Sequence, residues 1–309
     1  MLIGAGVGSF GGGGADVLSI VQQAVDSEND GLDAVWFNHI LSTDSLIAVA
    51  LVGQKTKRIE LVTGVVPVYS REPLLMAQQA LTVQVASQGR LSLGIGLAHP
   101  ETAPLAWNHS YDRPAHFMEE YLAVLQPLLE KKAVEFSGDM ITTQGVLGFP
   151  DVPAPKVLLA ALGPIMLRMA GEQTDGTLLW VTGPKTIRGH VAPKITEAAK
   201  AAGRPSPRIS AALPICITDD SASAREAASK LFSRYGRLVN YRRVLDIEGV
   251  DGPQDIAVVG NEEEAEQQIR ELADAGATDF YGGFFKLSDD DTESVPRTKA
   301  FLKSIVGKI

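Results

Sequence analysis

The chain has 309 residues, of which 45% are hydrophobic and 21% charged, a composition typical of soluble globular proteins. Its net charge is −9 without a basic tail, which argues against nucleic acid and anionic membranes as partners. Cys216 is the only cysteine, which suits a reducing cytoplasm, and no apolar stretch is long enough to predict a membrane-spanning helix.

Apolar runs alternate with helix-like segments along the whole chain. Eight of these runs are predicted strands, at residues 2–7, 32–37, 59–66, 91–96, 157–161, 177–182, 208–217 and 278–285. Several are apolar on both faces, as parallel strands covered by helices are. The alternation predicts an α/β fold, a (β/α)8 TIM barrel that forms one domain over residues 1–309. Residues 99–156 and 221–260 break the rhythm and are predicted insertions, the first with a helix and a hairpin.

A glycine-rich segment follows the first strand. Gly6, Gly8 and Gly11 have the spacing G-x-G-x-x-G, which holds a dinucleotide in Rossmann folds. Three more glycines follow before the helix, and the second strand ends in Asn38 and His39 rather than in an acidic residue that would bind a ribose. We therefore expect a βα loop at the mouth of a barrel, which either approaches a ligand or has no function.

Four other segments carry a more specific pattern. They are "GLDAVWFNHI" at 31–40, the run beginning "KRIELVTGVVPVYS" at 57–101, "LAALGPIMLRMAGEQTDGTLLWVTGP" at 159–184 and "VVGNEEEAEQQIRELADAGATDF" at 258–280. Together they resemble the bacterial luciferase-like superfamily, and within it the branch that uses the deazaflavin coenzyme F420. The resemblance implies a homodimeric oxidoreductase that transfers a hydride between F420 and a small organic substrate. An FMN-dependent monooxygenase and a non-catalytic cofactor-binding relative are the alternatives.

A turn between a predicted strand and a predicted helix is the candidate anion site. It consists of Leu162, Gly163, Pro164 and Ile165. Free amide groups at such a helix start can hold an anion without a basic side chain, although proline is also common there without a ligand. The resemblance implies that this turn holds the cofactor phosphate, and that Gly176 and Thr177 of the next strand line the same end.

The resemblance also implies which residues surround the cofactor ring. Gly64 and Val65 would form a bulge behind the ring, joined by a non-proline cis peptide bond. Gly94 and Gly96 would let the backbone pass close to the cofactor, and Asn38 would contribute to the same binding surface.

His39 and His99 are the candidate catalytic residues, because both follow predicted strands at the rim where barrel active sites lie. Either could instead be a structural histidine. The resemblance places His39 beside the reactive carbon of the ring, as a hydrogen-bonding or acid–base group. Asn38 stands where many relatives have aspartate, so a simple His–Asp pair is not expected. His99 stands where relatives that oxidise sugar phosphates have a glutamate, so that reaction is not predicted.

The other histidines and the apolar residues of the first insertion give weaker indications of function. The five histidines lack the spacing of metal ligands, so no metal site is predicted, and His190 is expected on a solvated helix face. An apolar wall for a small hydrophobic or unsaturated substrate is expected from Leu105, Ala106, Trp107 and Phe117.

Overall fold

The computed structural model describes residues 1–8, 16–39 and 41–309, so Gly11 and the three glycines after it lie outside the described residues. The strands are β1 (Leu2–Val7), β2 (Ala34–Phe37), β3 (Glu60–Thr63), β4 (Val66–Pro67), β5 (Leu91–Gly96), β6 (Ala133–Ser137), β7 (Thr142–Val146), β8 (Lys156–Ala160), β9 (Gly176–Trp180), β10 (Arg208–Ile217), β11 (Val258–Gly260) and β12 (Asp279–Phe284). The α-helices are α1 (Val17–Asn29), α2 (Ser45–Gly53), α3 (Pro73–Ala86), α4 (Thr102–Trp107), α5 (Pro114–Lys131), α6 (Pro164–Gln173), α7 (Pro184–Thr186), α8 (Ala192–Ala201), α9 (Ser221–Phe232), α10 (Val239–Glu248), α11 (Glu262–Asp274) and α12 (Ser294–Ile305).

Eight parallel strands close into a barrel in the order β1-β2-β3-β5-β8-β9-β10-β12, and β12 pairs with β1. The predicted (β/α)8 barrel and its eight strands are therefore confirmed. Strands buried on both faces explain the near-continuous apolar runs in the sequence. The apolar interior of the barrel is formed by Ala34, Trp36, Val62, Leu158, Leu178, Ala212 and Tyr281.

The two segments that break the barrel rhythm contain the elements expected of them, with two refinements. Residues 99–156 hold α4, α5 and the antiparallel hairpin β6–β7, and α5 packs against α3 as an ordinary barrel helix would. Residues 221–260 hold α9 and α10, and their last strand, β11, joins the sheet beside β10. An ion pair between Glu101 and Arg234, 3.2 Å long, connects the two segments. No helix of the described residues has the length and apolarity needed to span a bilayer.

The predicted strand over residues 59–66 is interrupted in its second half. β3 ends at Thr63, the peptide bond between Gly64 and Val65 is cis, and the short strand β4 follows. A Cβ atom at Gly64 would lie 0.9 Å from Nε1 of Trp36, so the indole occupies the space that any other side chain would need. The cis bond that the resemblance implies is thus present, at a position that only glycine fits.

The N-terminal end of the barrel interior is filled by charged side chains. Arg208, at the start of β10, pairs with Glu60 at 2.6 Å and with Asp279 at 3.0 Å. Ser210 donates a hydrogen bond of 2.6 Å to Asp279. Because this network closes one end of the interior, a ligand can approach the interior from the C-terminal rim of the strands.

Candidate active site at the C-terminal rim of the barrel

The floor of the barrel mouth is built from positions with little or no side chain. A Cβ atom at Gly94 would lie 1.9 Å from the Thr63 carbonyl oxygen, and one at Gly96 would lie 2.8 Å from Cγ2 of Val65. Gly64 and Val65 are partly exposed at this mouth, although the strand residues on either side of them are buried. The floor at these four residues therefore consists of backbone and one valine side chain.

Trp36 supports the floor from below. Its ring packs edge-on against Tyr281, with ring centroids 5.1 Å apart. Its indole Nε1 is buried and has no hydrogen-bond partner among the described residues. Buried polar groups are normally paired, so this unpaired donor next to Gly64 is an exception to the usual pairing.

The turn after β8 leaves backbone donors open. Helix α6 begins at Pro164, and its N-cap residue, Gly163, provides no side-chain hydrogen bond. The amide groups of Ile165 and Met166 in the first helical turn have no acceptor among the described residues, as expected where a helix start lacks a cap. A Cβ atom at Gly163 would meet nothing within 4 Å, so the space in front of these donors is open.

The start of the neighbouring helix, α7, which follows β9, is in contrast already capped. The carboxylate of Glu248 accepts hydrogen bonds from the amides of Lys185 at 3.0 Å and Thr186 at 2.7 Å. It also fills the space that a Cβ atom at Gly183 would take, 2.5 Å away. Of these two adjacent helix starts at the rim, only that of α6 can receive an anion from outside.

Gly176 and Thr177 do not reach this turn, which corrects the expectation from the resemblance. They pair with Leu158 and Leu159 inside the sheet, and the Thr177 hydroxyl donates a 2.8 Å hydrogen bond to the Leu159 carbonyl. Both lie at the start of β9, and the turn lies beyond the end of β8. Since parallel strands end at one edge, the part of β9 beside the turn is its exit at residues 181–183, where Val181 has a φ of 52°. The sequence held this signal, because strand direction alone places the exit there.

His190 also lies elsewhere than expected. It belongs to a π-helical turn, Ile187–Val191, and it is only partly exposed rather than solvated. Its Nε2 donates a 2.8 Å hydrogen bond to the carbonyl oxygen of Leu162. A π-helical turn shifts the register of a helix by one residue, which periodicity in the sequence does not reveal. His190 therefore supports the open turn and was missed as a site residue.

His39 follows β2 at the rim, where the sequence places it, and Asn38 beside it is likewise half-buried. The His39 ring is held through Nδ1, which lies 3.1 Å from the amide nitrogen and 2.9 Å from the hydroxyl oxygen of Ser45. Burial lowers the pKa of His39, the charge of Arg71 lowers it further, and Asp44 opposes both effects. These contacts favour a neutral imidazole in a fixed orientation.

His99 follows β5 and sits among residues of the two inserted segments. Its ring centroid lies 6.1 Å from that of Tyr241. Burial lowers the pKa of His99, as does the charge of Arg234, and Glu101 acts in the opposite direction. The structure gives His39 and His99 separate partners on strands that β3 separates, so it does not join them into one acid–base pair.

The expected apolar wall is only partly present. Leu105 is 88% exposed and Ala106 is exposed, so neither faces a pocket, whereas Trp107 packs against the core. Phe117 is buried and stacks on Tyr69, with ring centroids 4.7 Å apart. Phe117 and Tyr69 thus form a buried aromatic pair, and the sequence reasoning missed Tyr69 because it lies outside the insertions.

One group of possible metal-ligating side chains occurs among the described residues, although the sequence predicts none. Donor atoms of His116, Glu120 and Asp139 lie within 4.8 Å of one another. The buried Glu120 carboxylate already accepts backbone hydrogen bonds from Asp139, Met140 and Ile141 at 2.8, 2.9 and 2.8 Å. Its evident role is to cap the turn of the β6–β7 hairpin.

Comparison with known proteins decides the family. The sequence profile of luciferase-like monooxygenases matches residues 1–279. The chain belongs to this luciferase-like monooxygenase family. The cis bond at Gly64, the open turn at Gly163 and the glycine floor are therefore features of a luciferase-like barrel.

Two named cofactors occur among the similar proteins of this luciferase-like family. The chain is 28% identical to 5,10-methylenetetrahydromethanopterin reductase of Methanolobus tindarius, over 86% of this chain and 90% of that protein. It superposes on an F420-dependent secondary alcohol dehydrogenase bound to an F420–acetone adduct with a TM-score of 0.80, at 18% identity over 99% and 98% of the two chains. It superposes on the FMN-bound oxygenating component of 3,6-diketocamphane monooxygenase from Pseudomonas putida with a TM-score of 0.77, at 16% identity over 100% and 97%. The two structural superpositions, at 18% and 16% identity, show the shared fold alone.

Proposed function

We propose that the protein is an F420-dependent oxidoreductase that transfers a hydride between the deazaflavin coenzyme and a small organic substrate. The observation that carries the proposal is the open turn of α6, which presents unpaired amides at the rim beside the glycine floor. A phosphate group fits such a helix start without a basic side chain. The F420-bound structural neighbour supports this choice of cofactor, and the similarity to the Methanolobus reductase supports an oxidoreductase.

Each candidate residue has a distinct task in this proposal. The amides of Gly163 and Ile165 hold the phosphate, and His190 fixes the carbonyl of Leu162 that precedes them. Gly94, Gly96, Gly64 and Val65 provide the surface for the ring, with Asn38 at its edge. When bound, F420 supplies two-electron hydride chemistry. His39 then offers a hydrogen bond beside the ring, and His99 borders the substrate from the end of β5, on the far side of β3.

An FMN-dependent monooxygenase is the second candidate, because a structural neighbour of similar TM-score holds FMN. FMN also carries a phosphate and a flat ring, so the open turn and the floor accept either group. The two cofactors differ in their chemistry, since FMN also supports reactions with oxygen.

Fluorescence titrations of the purified protein with F420 and with FMN separate these candidates. We expect micromolar or tighter binding of F420 and much weaker binding of FMN. The reverse order would transfer the proposal to a flavin monooxygenase, and oxygen consumption would then be measured. Failure of both to bind would contradict the role assigned to the open turn.

The replacement Gly163→Asp tests the turn itself. An aspartate at this N-cap position, with φ −87° and ψ 156°, can accept the open amides of α6, and no atom lies within 4 Å of its Cβ. We expect unchanged or slightly higher stability and at least about a 100-fold loss of cofactor affinity, because the carboxylate occupies the site and repels phosphate. Gly163→Ala is the control and should retain binding within a few-fold. Equal affinities of the two variants would contradict phosphate binding at this turn.

We also propose that the protein is a homodimer that associates through α2 and α3. Helix α2, "SLIAVALVG", is apolar around its whole circumference, which is typical of a buried helix. Yet Ile47 is 60% exposed, and Leu51 is 43% exposed on the same helix. Leu75 and Val85 are likewise exposed, at 42% and 44%, on α3, which packs against α2. A second copy of the chain would cover both helices in a two-fold contact.

The double replacement Ile47→Glu with Leu51→Glu should yield a monomer, because four charges brought together at a two-fold interface would be desolvated. Light scattering coupled to size-exclusion chromatography measures the mass of the particle directly. Leu105→Glu, at an 88% exposed site on α4 rather than on α2 or α3, is the matched control and should leave the dimer intact. A wild-type monomer at micromolar concentration would contradict the proposal.

Two further proposals concern the domain organisation and the cellular location of the protein. We propose that residues 1–309 act as one domain, because α12 packs on β1 and β10 and so ties the end of the chain to its beginning. We also propose a cytoplasmic location, because the single cysteine, Cys216, is free and buried and no disulfide is needed.

A further inference from the structure

The His39 imidazole has an unusual pair of contacts on one nitrogen. The Ser45 amide nitrogen lies 3.1 Å from Nδ1, and the Ser45 hydroxyl oxygen lies 2.9 Å from the same atom. A backbone N–H can only donate, so Nδ1 must be the acceptor of that hydrogen bond. In the neutral ring the proton is then on Nε2, which has no acceptor among the described residues.

Ser45 is itself held rigidly. It is the first residue of α2, directly after Asp44, whose carboxylate accepts the amides of Leu46 at 3.0 Å and Ile47 at 3.2 Å. The second carboxylate oxygen of Asp44 pairs with Arg71, a side chain that is only 9% exposed. Arg71 in turn donates a 2.7 Å hydrogen bond to Gln79 on α3. The Ser45 amide is thus positioned by two packed helices rather than by a loop.

The surrounding charges act in the same direction as this hydrogen bond. A proton on Nδ1 would face the Ser45 N–H and break the contact. Burial and the charge of Arg71 both lower the pKa of His39, and Asp44 is the charged group that opposes them. Together these groups favour a neutral ring at physiological pH.

We propose that Ser45 is a positioning residue that fixes His39 as a neutral imidazole with its proton on Nε2. His39 then donates a hydrogen bond from Nε2 to an acceptor atom of the substrate or cofactor, and Nε2 has no lone pair with which to act as a general base. This inference rests on the proposed function only in placing a ligand in front of Nε2. The tautomer itself is a property of the protein without cofactor.

The test compares Ser45→Pro with Ser45→Ala. Proline removes the amide donor, and the first residue of a helix tolerates it well. Asp44 has φ −67° and ψ 120°, a conformation that a residue before proline readily adopts. Alanine removes only the hydroxyl and leaves the amide donor in place, so it is the matched control.

Imidazole ¹⁵N chemical shifts report the tautomer directly, and a His39→Gln spectrum identifies the His39 signals. We expect wild type and Ser45→Ala to show a protonated Nε2 and an unprotonated Nδ1 in a ring whose pKa lies below the ordinary value. Ser45→Pro should show a mixture of tautomers and a titration closer to the ordinary value of about 6.5. A proton on Nδ1 in the wild-type protein would overturn the proposal, whether or not the proline variant folds. An unchanged tautomer in folded Ser45→Pro would overturn it as well.

F420 titrations of the same variants separate this inference from the proposed function. Ser45→Pro should bind F420 within a few-fold of wild type, because the phosphate turn and the floor are untouched. If wild type shows the expected tautomer but binds no F420, the proposed function fails and the role of Ser45 stands. If F420 binds and the tautomer is wrong, the role of Ser45 fails alone.

Discussion

Gly64→Ala is expected to destabilise the protein by about 3 kcal/mol or more, close to the upper end of single-residue effects. The new methyl group would lie 0.9 Å from Nε1, 1.7 Å from Cε2 and 1.8 Å from Cδ1 of Trp36. The indole cannot move away freely, because Ala34, Val62 and Tyr281 pack around it in the barrel interior. Chemical denaturation of the variant and of wild type gives the difference in unfolding free energy.

Two further variants test whether the loss of stability in Gly64→Ala is caused by the overlap of the new methyl group with Trp36. Gly148→Ala is the control, since a Cβ atom there meets nothing within 4 Å, and it should change stability by less than about 1 kcal/mol. Trp36→Leu removes the ring that the new methyl group strikes, so adding Gly64→Ala to it should cost much less than adding Gly64→Ala to wild type. A Gly64→Ala protein as stable as wild type would show that the indole can leave its position.

The barrel could be predicted from the sequence because its signals are local and repeated. Apolar runs such as "RISAALPICI" in β10 are buried along nearly their whole length, as strands covered on both faces must be. The capping pattern of α11 is equally local, since Asn261 and Glu264 stand three residues apart and form a reciprocal cap. A glycine at position 64 within a predicted strand is visible in the sequence, but the cis bond was predicted only from the resemblance to a family.

The site was harder to predict because its decisive contacts join distant segments. Glu248 closes the start of α7 from 62 residues away, which leaves α6 as the open neighbour. Thr177 is close in sequence to the predicted turn, yet strand register buries it in the sheet. Strand direction could have placed Thr177 at the start of β9, whereas a long-range cap depends on how elements pack, which no local pattern specifies. The contact between Ser45 and His39 spans only six residues, and the Asp44–Ser45 helix start was a signal that could have suggested it.

Arg208→Met is expected to destabilise the protein by about 3–5 kcal/mol at pH 7, because it leaves two carboxylates unpaired at the closed end of the barrel. Arg208 bonds Glu60 at 2.6 Å and Asp279 at 3.0 Å, and Asp279 is 1% exposed. Arg270→Met is the matched control: its 2.6 Å pair with Glu266 is on the surface, with 47% and 37% of the two side chains exposed. That replacement should cost less than about 1 kcal/mol in the same denaturation experiment.

The pH dependence of this loss follows from Glu60. Burial alone would raise the pKa of Glu60, but the hydrogen bonds and charge of Arg208 hold it below the ordinary value. In wild type the ionised Glu60 therefore stabilises the fold above its unfolded-state pKa of about 4.3, and this contribution is lost as the pH falls through the lower, folded-state pKa. Without Arg208, burial dominates and raises the pKa of Glu60. Protonation of Glu60 as the pH falls then removes the buried charge and makes the Arg208→Met variant more stable. The stability gap between wild type and Arg208→Met should narrow from pH 7 to about pH 5. A gap that stays constant over this range would mean that Glu60 does not depend on Arg208 for its charge.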